Sequence, residues 1–173
     1  MLDPDIEKAI NDQINHEIFS SYLYYSMAAH FESLSLGGFA HWMRVQALEE
    51  LTHVQKFFHY VNERGGRIVM QAVAAPPSEW DAPITVFREV YEHECGVTQK
   101  VNALLDLAIS KSDHATCNFL QWFVAEQVEE EASADTVIQQ LKLVDKSEGG
   151  LFHLDQELNK RTFTMPPELA GAF

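Results

Sequence analysis

Several residue types that mark other classes of protein are scarce in this sequence. The 173 residues include two cysteines, Cys95 and Cys117, which form no Cys-x-x-Cys motif, and we expect both to be inert thiols in a reduced, cytoplasmic protein. No stretch approaches the roughly 18 consecutive apolar residues of a membrane span. The acidic first residues do not resemble a signal peptide. We therefore expect neither a membrane protein nor a secreted one.

Positive charge is also scarce. Twelve Lys and Arg residues face 26 Asp and Glu residues, which gives a formal net charge of -14 at pH 7. This balance argues against binding to nucleic acid or to anionic lipid, and it is compatible with a surface that attracts cations. The six prolines and eight glycines lie in clusters, so that long stretches remain for uninterrupted helices.

Apolar residues recur at i+3 and i+4 spacing through these long stretches, which predicts amphipathic helices. We predict four long helices over about 4–34, 38–65, 83–111 and 113–147, a short fifth helix over about 149–161, and a tail over 162–173. The turns after the first and third helices are short, whereas the connection from the second to the third can run the length of a bundle. The prediction is an all-α, four-helix bundle with one long crossover and a short fifth helix, in one domain over 1–173.

Acidic residues interrupt the apolar face of each long helix. Glu17, Glu50, Glu94 and Glu130 occupy such positions on four different helices, and His53 follows Glu50 by three residues, one turn further along the same face. Burying one unpaired carboxylate costs several kcal/mol, so four of them together need protons or cations.

The positions of these acids along the helices indicate that they meet. Glu17 lies about 18 residues before the first turn and Glu50 about 15 after it, while Glu94 and Glu130 each lie about 18 residues from the turn between their helices. At 1.5 Å per residue, all four fall about 27 Å or slightly less from their own turns, near the middle of the bundle. The register therefore predicts one shared site for two metal ions.

The ligand types favour iron. The first metal position is predicted to bind Glu17, Glu50 and His53, with Glu50 as a bridge, and the second to bind Glu50, Glu94 and Glu130 without a nitrogen ligand. Oxygen-rich ligation with a single imidazole suits Fe(II) better than tightly held zinc or copper. We hypothesise that the nitrogen-free position releases iron readily, so that iron is a substrate.

Further residues surround the predicted centre. Tyr24 lies two turns after Glu17 on the same face, where it either hydrogen-bonds a ligand and takes part in electron transfer or is an ordinary core aromatic. Gln127 precedes Glu130 at the spacing where a Glu-x-x-His pair would place a glutamate. A second acidic group beside the first predicts a third cation site or an exit path, or is simply a solvated acidic surface; it comprises Glu49, Glu126 and Glu129.

At these positions the sequence resembles the ferritins, specifically the non-haem bacterial type. The matching residues are Glu17 with Tyr24, Glu49-Glu50-Leu51-Thr52-His53, Glu94, and Ala125-Glu126-Gln127-Val128-Glu129-Glu130. The resemblance implies a homo-oligomeric shell of 24 subunits, each with a ferroxidase centre that oxidises Fe(II) with O2 or H2O2 and stores ferric mineral.

The resemblance also assigns roles to individual residues. It places Glu17, Glu50 and His53 at a first iron site. It places Glu50, Glu94, Gln127 and Glu130 at a second, and Glu49, Glu126, Glu129 and Glu130 at a third. Tyr24, Glu50 and Gln127 are the expected catalytic residues. Haem is not expected, because Thr52 lies where bacterioferritins have their haem-binding methionine.

Two features leave alternatives open. Asn118 and Gln121 stand where the animal ferroxidase chain has the acids of its three-fold channel, so iron is expected to use another pore. A peroxide-reducing di-iron protein similar to the rubrerythrins is disfavoured by the lack of a rubredoxin-type Cys-x-x-Cys module. The other alternative function is a non-catalytic shell subunit whose acids only nucleate mineral.

Overall fold

The helices form the bundle that the sequence predicts. The computed structural model describes residues 2–144, 147 and 149–169. These residues contain α1 (Pro4–Ser33), α2 (Gly37–Glu63), α3 (Pro83–Ser110), α4 (His114–Val144), α5 (Gly150–Leu158) and a 3-10 turn at Pro167–Leu169. The all-α prediction of four long helices, one long crossover and a short fifth helix is confirmed.

Helix ends differ slightly from the predicted bounds. Helix α5 ends at Leu158, three residues before the predicted end, and α4 ends at Val144. The predicted continuation of α4 reaches residues 145 and 146, and the predicted tail reaches residues 170–173; all of these lie outside the described residues. Within the described residues, no helix is both long and apolar enough to span a membrane.

Local capping explains where the helices begin and how the hairpins close. The Asp3 side chain accepts a hydrogen bond from the backbone N–H of Asp5 at 2.9 Å, with Pro4 as the first helical residue. Asp113 accepts from the N–H of Thr116 at 3.1 Å at the start of α4. The reversals from α1 to α2 and from α3 to α4 each contain a serine in the left-handed conformation, Ser35 (φ 60°) and Ser112 (φ 55°).

The crossover (64–82) lies along α1. Asn11 donates a side-chain hydrogen bond to the carbonyl of Arg67 at 3.0 Å and accepts one from the N–H of Val69 at 2.7 Å. Further on, the Ser26 hydroxyl donates to the carbonyl of Pro77. The crossover therefore runs parallel to α1 from one end of the bundle towards the other, and α3 starts beside the end of α1.

The apolar interior is divided into two clusters. One contains residues from the C-terminal half of α1 and the N-terminal half of α2, including the packed rings of Phe31 and Phe39, whose centroids are 5.2 Å apart. The other contains residues from the opposite halves, including the stacked rings of Phe57 and Phe123 at 4.2 Å. On every long helix the acid singled out above lies between the residues of these two clusters. The fold thus places the acids in a layer at the middle of the bundle.

Helix α5 is fixed to the start of α2 by one buried carboxylate. Oδ1 of Asp155 accepts the backbone N–H groups of Gly38 at 2.7 Å and Phe39 at 3.1 Å. A Cβ atom at Gly38 would lie 1.7 Å from the backbone oxygen of Asp155, so only glycine permits this close approach. Asp155 therefore satisfies two N–H groups of α2 that have no partner within that helix.

We predict that Asp155→Ala destabilises the subunit by about 2–3 kcal/mol, because it leaves two buried N–H groups without acceptors. The free energy of unfolding of the metal-free protein, from denaturant titration, measures this effect. Asp135→Ala is the matched control, since Asp135 is exposed and accepts a hydrogen bond from Gln139 in its own helix. Equal stability of the two variants would contradict the role given to Asp155.

Candidate metal centre

The middle layer of the bundle contains six polar side chains from all four long helices. Their relative exposures are 0% for Glu17, 1% for Glu50 and Glu94, 2% for His53, 3% for Gln127 and 6% for Glu130. The sequence predicts each of them as a site residue, and the fold buries all of them between the two apolar clusters.

The residues predicted for the first metal position lie together. Nδ1 of His53 is 3.4 Å from Oε2 of Glu50 and 3.9 Å from Oε2 of Glu17. One ligand atom from each of the three lies within 4.8 Å of the others, which is close enough to surround one metal ion. Gln13, one turn before Glu17, donates a 2.7 Å hydrogen bond to its Oε1 atom and so leaves Oε2 directed towards His53.

A second group of possible ligands contains His53, Glu126 and Glu130, again within 4.8 Å of one another. Its composition differs from the predicted second position, which combines Glu130 with Glu50 and Glu94. Gln46 accounts for part of the difference, because its amide donates a 2.6 Å hydrogen bond to Oε2 of Glu130. His53 thus lies between two groups of carboxylates instead of belonging to the first alone.

Glu94 is held by hydrogen bonds from two sides. The Tyr24 hydroxyl donates to its Oε1 atom, and the Gln127 amide donates to Oε2 at 3.1 Å and to the backbone carbonyl of Glu94 at 3.3 Å. Glu94 belongs to neither three-residue ligand group found among the described residues. Tyr24 and Gln127 are therefore brought to Glu94, and their predicted catalytic roles stay predictions.

The residues predicted for a third cation site are not gathered as one group. Glu126 is half-buried beside His53 and Glu130, whereas Glu129 is exposed. Glu49 is half-buried and forms an ion pair with Arg161, from the segment after α5. Asn118 and Gln121 are exposed on α4, and a route for iron near them stays a prediction.

Several buried polar atoms of this layer have no hydrogen-bond partner among the described residues. They are Oε2 of Glu17, Oε2 of Glu50 and Oε1 of Gln46. An unsatisfied buried acceptor costs about 1–3 kcal/mol, and more if it is charged. Apart from the His53 ring, 3.9 and 3.4 Å away, the Oε2 atoms of Glu17 and Glu50 have no hydrogen-bonding partner among the described residues, and a bound cation would supply one.

Burial and repulsion between neighbouring carboxylates raise the pKa values of two glutamates in this layer. Burial raises the pKa of Glu94 to about 8, helped by the nearby charge of Glu130 and opposed by the hydrogen bonds from Tyr24 and Gln127. Burial also raises the pKa of Glu50 well above its ordinary range. Metal-free protein at neutral pH therefore carries a proton on Glu94.

Glu17 and His53 form the charged pair within this layer. Burial acts to raise the pKa of Glu17, but hydrogen bonds and the charge of His53 outweigh it and lower that pKa to about 2. Burial acts to lower the pKa of His53, but the carboxylates of Glu50 and Glu17 outweigh it and raise that pKa. The His53 ring thus lies beside both carboxyl groups of the first group, 3.9 Å from Glu17 and 3.4 Å from Glu50.

Sequence reasoning missed three residues of this environment: Gln13, Gln46 and Arg161. Gln13 and Gln46 lie four residues before Glu17 and Glu50, and this repeated Gln-x-x-x-Glu spacing was an available signal. No such signal existed for Arg161, because its partner Glu49 is 112 residues away in the sequence.

A four-helix bundle with one long crossover, whose core contains carboxylates from four helices and a Glu-x-x-His pair, has the architecture of the ferritin-like carboxylate bundles. The family model "Ferritin-like domain" matches residues 7–144. The chain belongs to the ferritin family.

Individual relatives agree with this assignment. The "Bacterial non-heme ferritin" of Bacteroides fragilis (strain 638R) is 40% identical over 161 residues, which cover 93% of this chain and 100% of that protein. The open pore ferritin of the hyperthermophilic archaeon Archaeoglobus fulgidus is 51% identical, with a TM-score of 0.92 over 94% of this chain and 100% of that one. A closed form engineered from that ferritin gives a TM-score of 0.93 over 95% of this chain and 100% of that one.

The pKa of Glu94 leads to a prediction about pH. It is raised above the unfolded value of about 4.3, so the folded protein binds more protons than the unfolded one across this window. The stability that this group contributes is present below about pH 4 and is lost as the pH rises towards 8. We expect the free energy of unfolding of the metal-free wild type, measured relative to Glu94→Gln, to fall across this range. Fe(II) bound under argon should displace about one proton per subunit from Glu94 at pH 7.

Calorimetry in buffers of different ionisation enthalpy measures the released protons. Glu94→Gln, which carries no titrating proton, should release about one proton fewer per subunit than the exposed control Glu92→Gln. Identical proton release by the two variants would show that Glu94 is already ionised in the metal-free protein.

Proposed function

We propose that this protein is an iron-storage ferritin that oxidises Fe(II) at a two-iron centre in each subunit and deposits ferric mineral inside an oligomeric shell in the cytoplasm. The observation that carries the proposal is the group of Glu17, Glu50 and His53, fully buried and with two carboxylate oxygens that lack donors. Membership of the ferritin family supports the same conclusion.

The ligands of the two iron ions follow from this proposal. The first Fe(II) binds Glu17, Glu50 and His53, and supplies positive charge between the two carboxyl groups. The second binds Glu50, Glu94 and Glu130, with Gln127 beside it. Because the second position has no nitrogen ligand, it exchanges iron more readily than the first.

Glu49, Glu126, Glu129 and Glu130 are assigned to a third, weaker iron site. The support is partial, since Glu126 and Glu130 lie together with His53, whereas Glu49 faces Arg161 and Glu129 is exposed. In this proposal, iron passes through the third site on its way from the buried centre to the mineral outside the bundle.

In the reaction, each of two Fe(II) ions loses one electron. Dioxygen takes up the two electrons and two protons to give H2O2, or H2O2 takes up two electrons and two protons to give two molecules of water. Tyr24 holds Glu94 in place through its hydroxyl. The negative charge of the buried acids stabilises iron in both oxidation states, and it stabilises Fe(III) more strongly than Fe(II). The protein's contribution is thus ligand position and a charge field that tolerates both oxidation states.

Assembly into a shell of 24 subunits is part of the proposal. Large apolar side chains are exposed on the isolated subunit, and such surface is typical of protein contacts; the most exposed are Leu143 (81%), Val128 (69%), Phe152 (64%), Met70 (60%) and Ile109 (58%). The solved relatives are described as open pore and closed forms of a ferritin, which implies a hollow assembly for those proteins. Gel filtration before and after iron loading tests the size of the particle.

Glu50→Ala should slow the oxidation of Fe(II) by about 100-fold or more. Loss of a residue that only hydrogen-bonds a metal ligand already costs about 10- to 100-fold, and Glu50 is proposed to be a ligand itself. Stopped-flow absorbance after mixing with aerated buffer measures the rate. Glu63→Ala is the control, because Glu63 is an exposed glutamate at the end of the same helix. An unchanged rate in Glu50→Ala would favour a passive subunit whose acids only nucleate mineral.

Tyr24→Phe should slow oxidation by about 10-fold while two Fe(II) ions still bind per subunit, because the ring stays in the core but Glu94 loses a hydrogen-bond donor. Tyr25→Phe, at an exposed tyrosine on the same helix, should behave as wild type. If Tyr24→Phe bound fewer than two ions, the tyrosine would be needed for ligand geometry itself; if both variants oxidised iron at the wild-type rate, Tyr24 would be an ordinary core aromatic.

A further inference from the structure

An arginine from the far end of the chain reaches the acids beside the buried centre. Nη2 of Arg161, three residues after the end of α5, forms an ion pair with Oε2 of Glu49. Both side chains are mostly buried, with 20% and 24% of their surface exposed. The pair therefore joins the segment after α5 to a residue that adjoins the centre's Glu50.

Two further contacts fix this arginine on α2. Nε2 of His41 donates to the backbone carbonyl of Arg161 at 2.7 Å, in the tautomer that carries a proton on Nε2. The guanidinium lies over the ring of Trp42, 4.3 Å from its centroid. Glu49 follows Trp42 by seven residues and His41 by eight, about two helical turns, so all three lie on the side of α2 along which Arg161 is held.

The arginine is held without full hydrogen bonding. Its Nη1 atom is buried and has no acceptor among the described residues. A buried guanidinium nitrogen without an acceptor costs free energy. This cost offsets part of the stabilisation that the ion pair with Glu49 and the contact with the Trp42 ring provide. Such a cation can be displaced by a competitor that satisfies Glu49 better.

A metal ion at the neighbouring acids is that competitor. Glu126, Glu130 and His53 already lie within 4.8 Å of one another and can hold a cation without Glu49. A cation that also binds Glu49 must either displace Arg161 from Oε2 or bind Oε1 directly beside the positive guanidinium. A guanidinium and a metal ion exclude each other at Oε2 through space, and they repel each other through like charge if the ion binds Oε1.

We propose that Arg161 is a resident cation of the third iron site, which occupies Glu49 when no iron is bound there and must leave before iron binds it. Arg161 is thus a positioning residue: it keeps the third site weak and favours the two-iron centre at low iron. This inference rests on the proposed function, because it takes iron as the ion that moves through these acids.

Arg161→Gln tests the proposal, because it removes the charge and keeps a polar side chain. Fe(II) binding is measured under argon by equilibrium dialysis at pH 8, so that a proton does not replace the guanidinium on Glu49. The third ion should bind about fivefold more tightly than in wild type, a factor typical of one partly exposed ion pair. Arg161→Lys, which keeps the charge, should stay within about twofold of wild type.

The matched control is Lys160→Gln. Lys160 is the preceding residue and carries the same charge, but it is exposed and pairs with Glu157. Equal tightening in Lys160→Gln and Arg161→Gln would overturn the proposal, since it would reduce the effect to overall charge. Unchanged affinity for the third ion in Arg161→Gln, with two ions still bound at the centre, would also overturn it.

Crystals of the wild-type protein provide a measurement that does not depend on any variant folding. After soaking in Fe(II) under argon, iron anomalous density at Glu49 should appear only where the Arg161 guanidinium has moved away. Iron bound to Glu49 with Arg161 still paired to the same oxygen overturns the role of Arg161. Absence of iron at Glu17, Glu50 and His53 in the same crystals would instead contradict the proposed function.

Discussion

The structure depends on one electrostatic constraint: negatively ionisable oxygens are placed in the middle of an apolar bundle. Burying a carboxylate that has neither a hydrogen-bond donor nor a positive charge beside it costs several kcal/mol. This layer contains four buried carboxyl groups. Amide groups of Gln13, Gln46 and Gln127 and the Tyr24 hydroxyl satisfy part of the layer. The carboxylate oxygens that make no hydrogen bond among the described residues belong to Glu17 and Glu50, on either side of His53. Because these oxygens lie together, they mark the position where a cation would bind.

The topology of the bundle is what makes this layer possible. Two antiparallel hairpins joined by the long crossover bring the middles of all four helices to the same height, and on each helix the acid is flanked by apolar residues that belong to opposite clusters. The polar layer therefore interrupts the core once, and packing on both sides is preserved. Asn11 contributes by holding the first part of the crossover against α1.

Much of this was predictable from the sequence, because helical periodicity and loop length are local properties. The spacing of Glu50 and His53, and the equal distances of Glu94 and Glu130 from their turn, sufficed to predict the fold and a shared site. Contacts between side chains of different helices were harder to predict from the sequence. Gln46 bonds Glu130 rather than Glu50 in its own helix, and His53 faces Glu126 as well as Glu17, since these contacts depend on helix rotation and side-chain rotamers. The pairing of Glu49 with Arg161 required the path of the chain after α5.

Three kinds of positive charge can compensate these acids: a proton, a fixed side-chain cation or a metal ion. In the metal-free protein, burial raises the pKa of Glu94 to about 8, His53 lies between Glu17 and Glu50, and Arg161 pairs with Glu49. Glu17, Glu49, Glu50 and Glu94 therefore each have a proton or a basic side chain beside them when no metal ion is bound. A structural metal site has no need of these groups, since its apo form is free to unfold. A site that gives up its ions repeatedly must stay folded without them, and this arrangement of protons and cations does so.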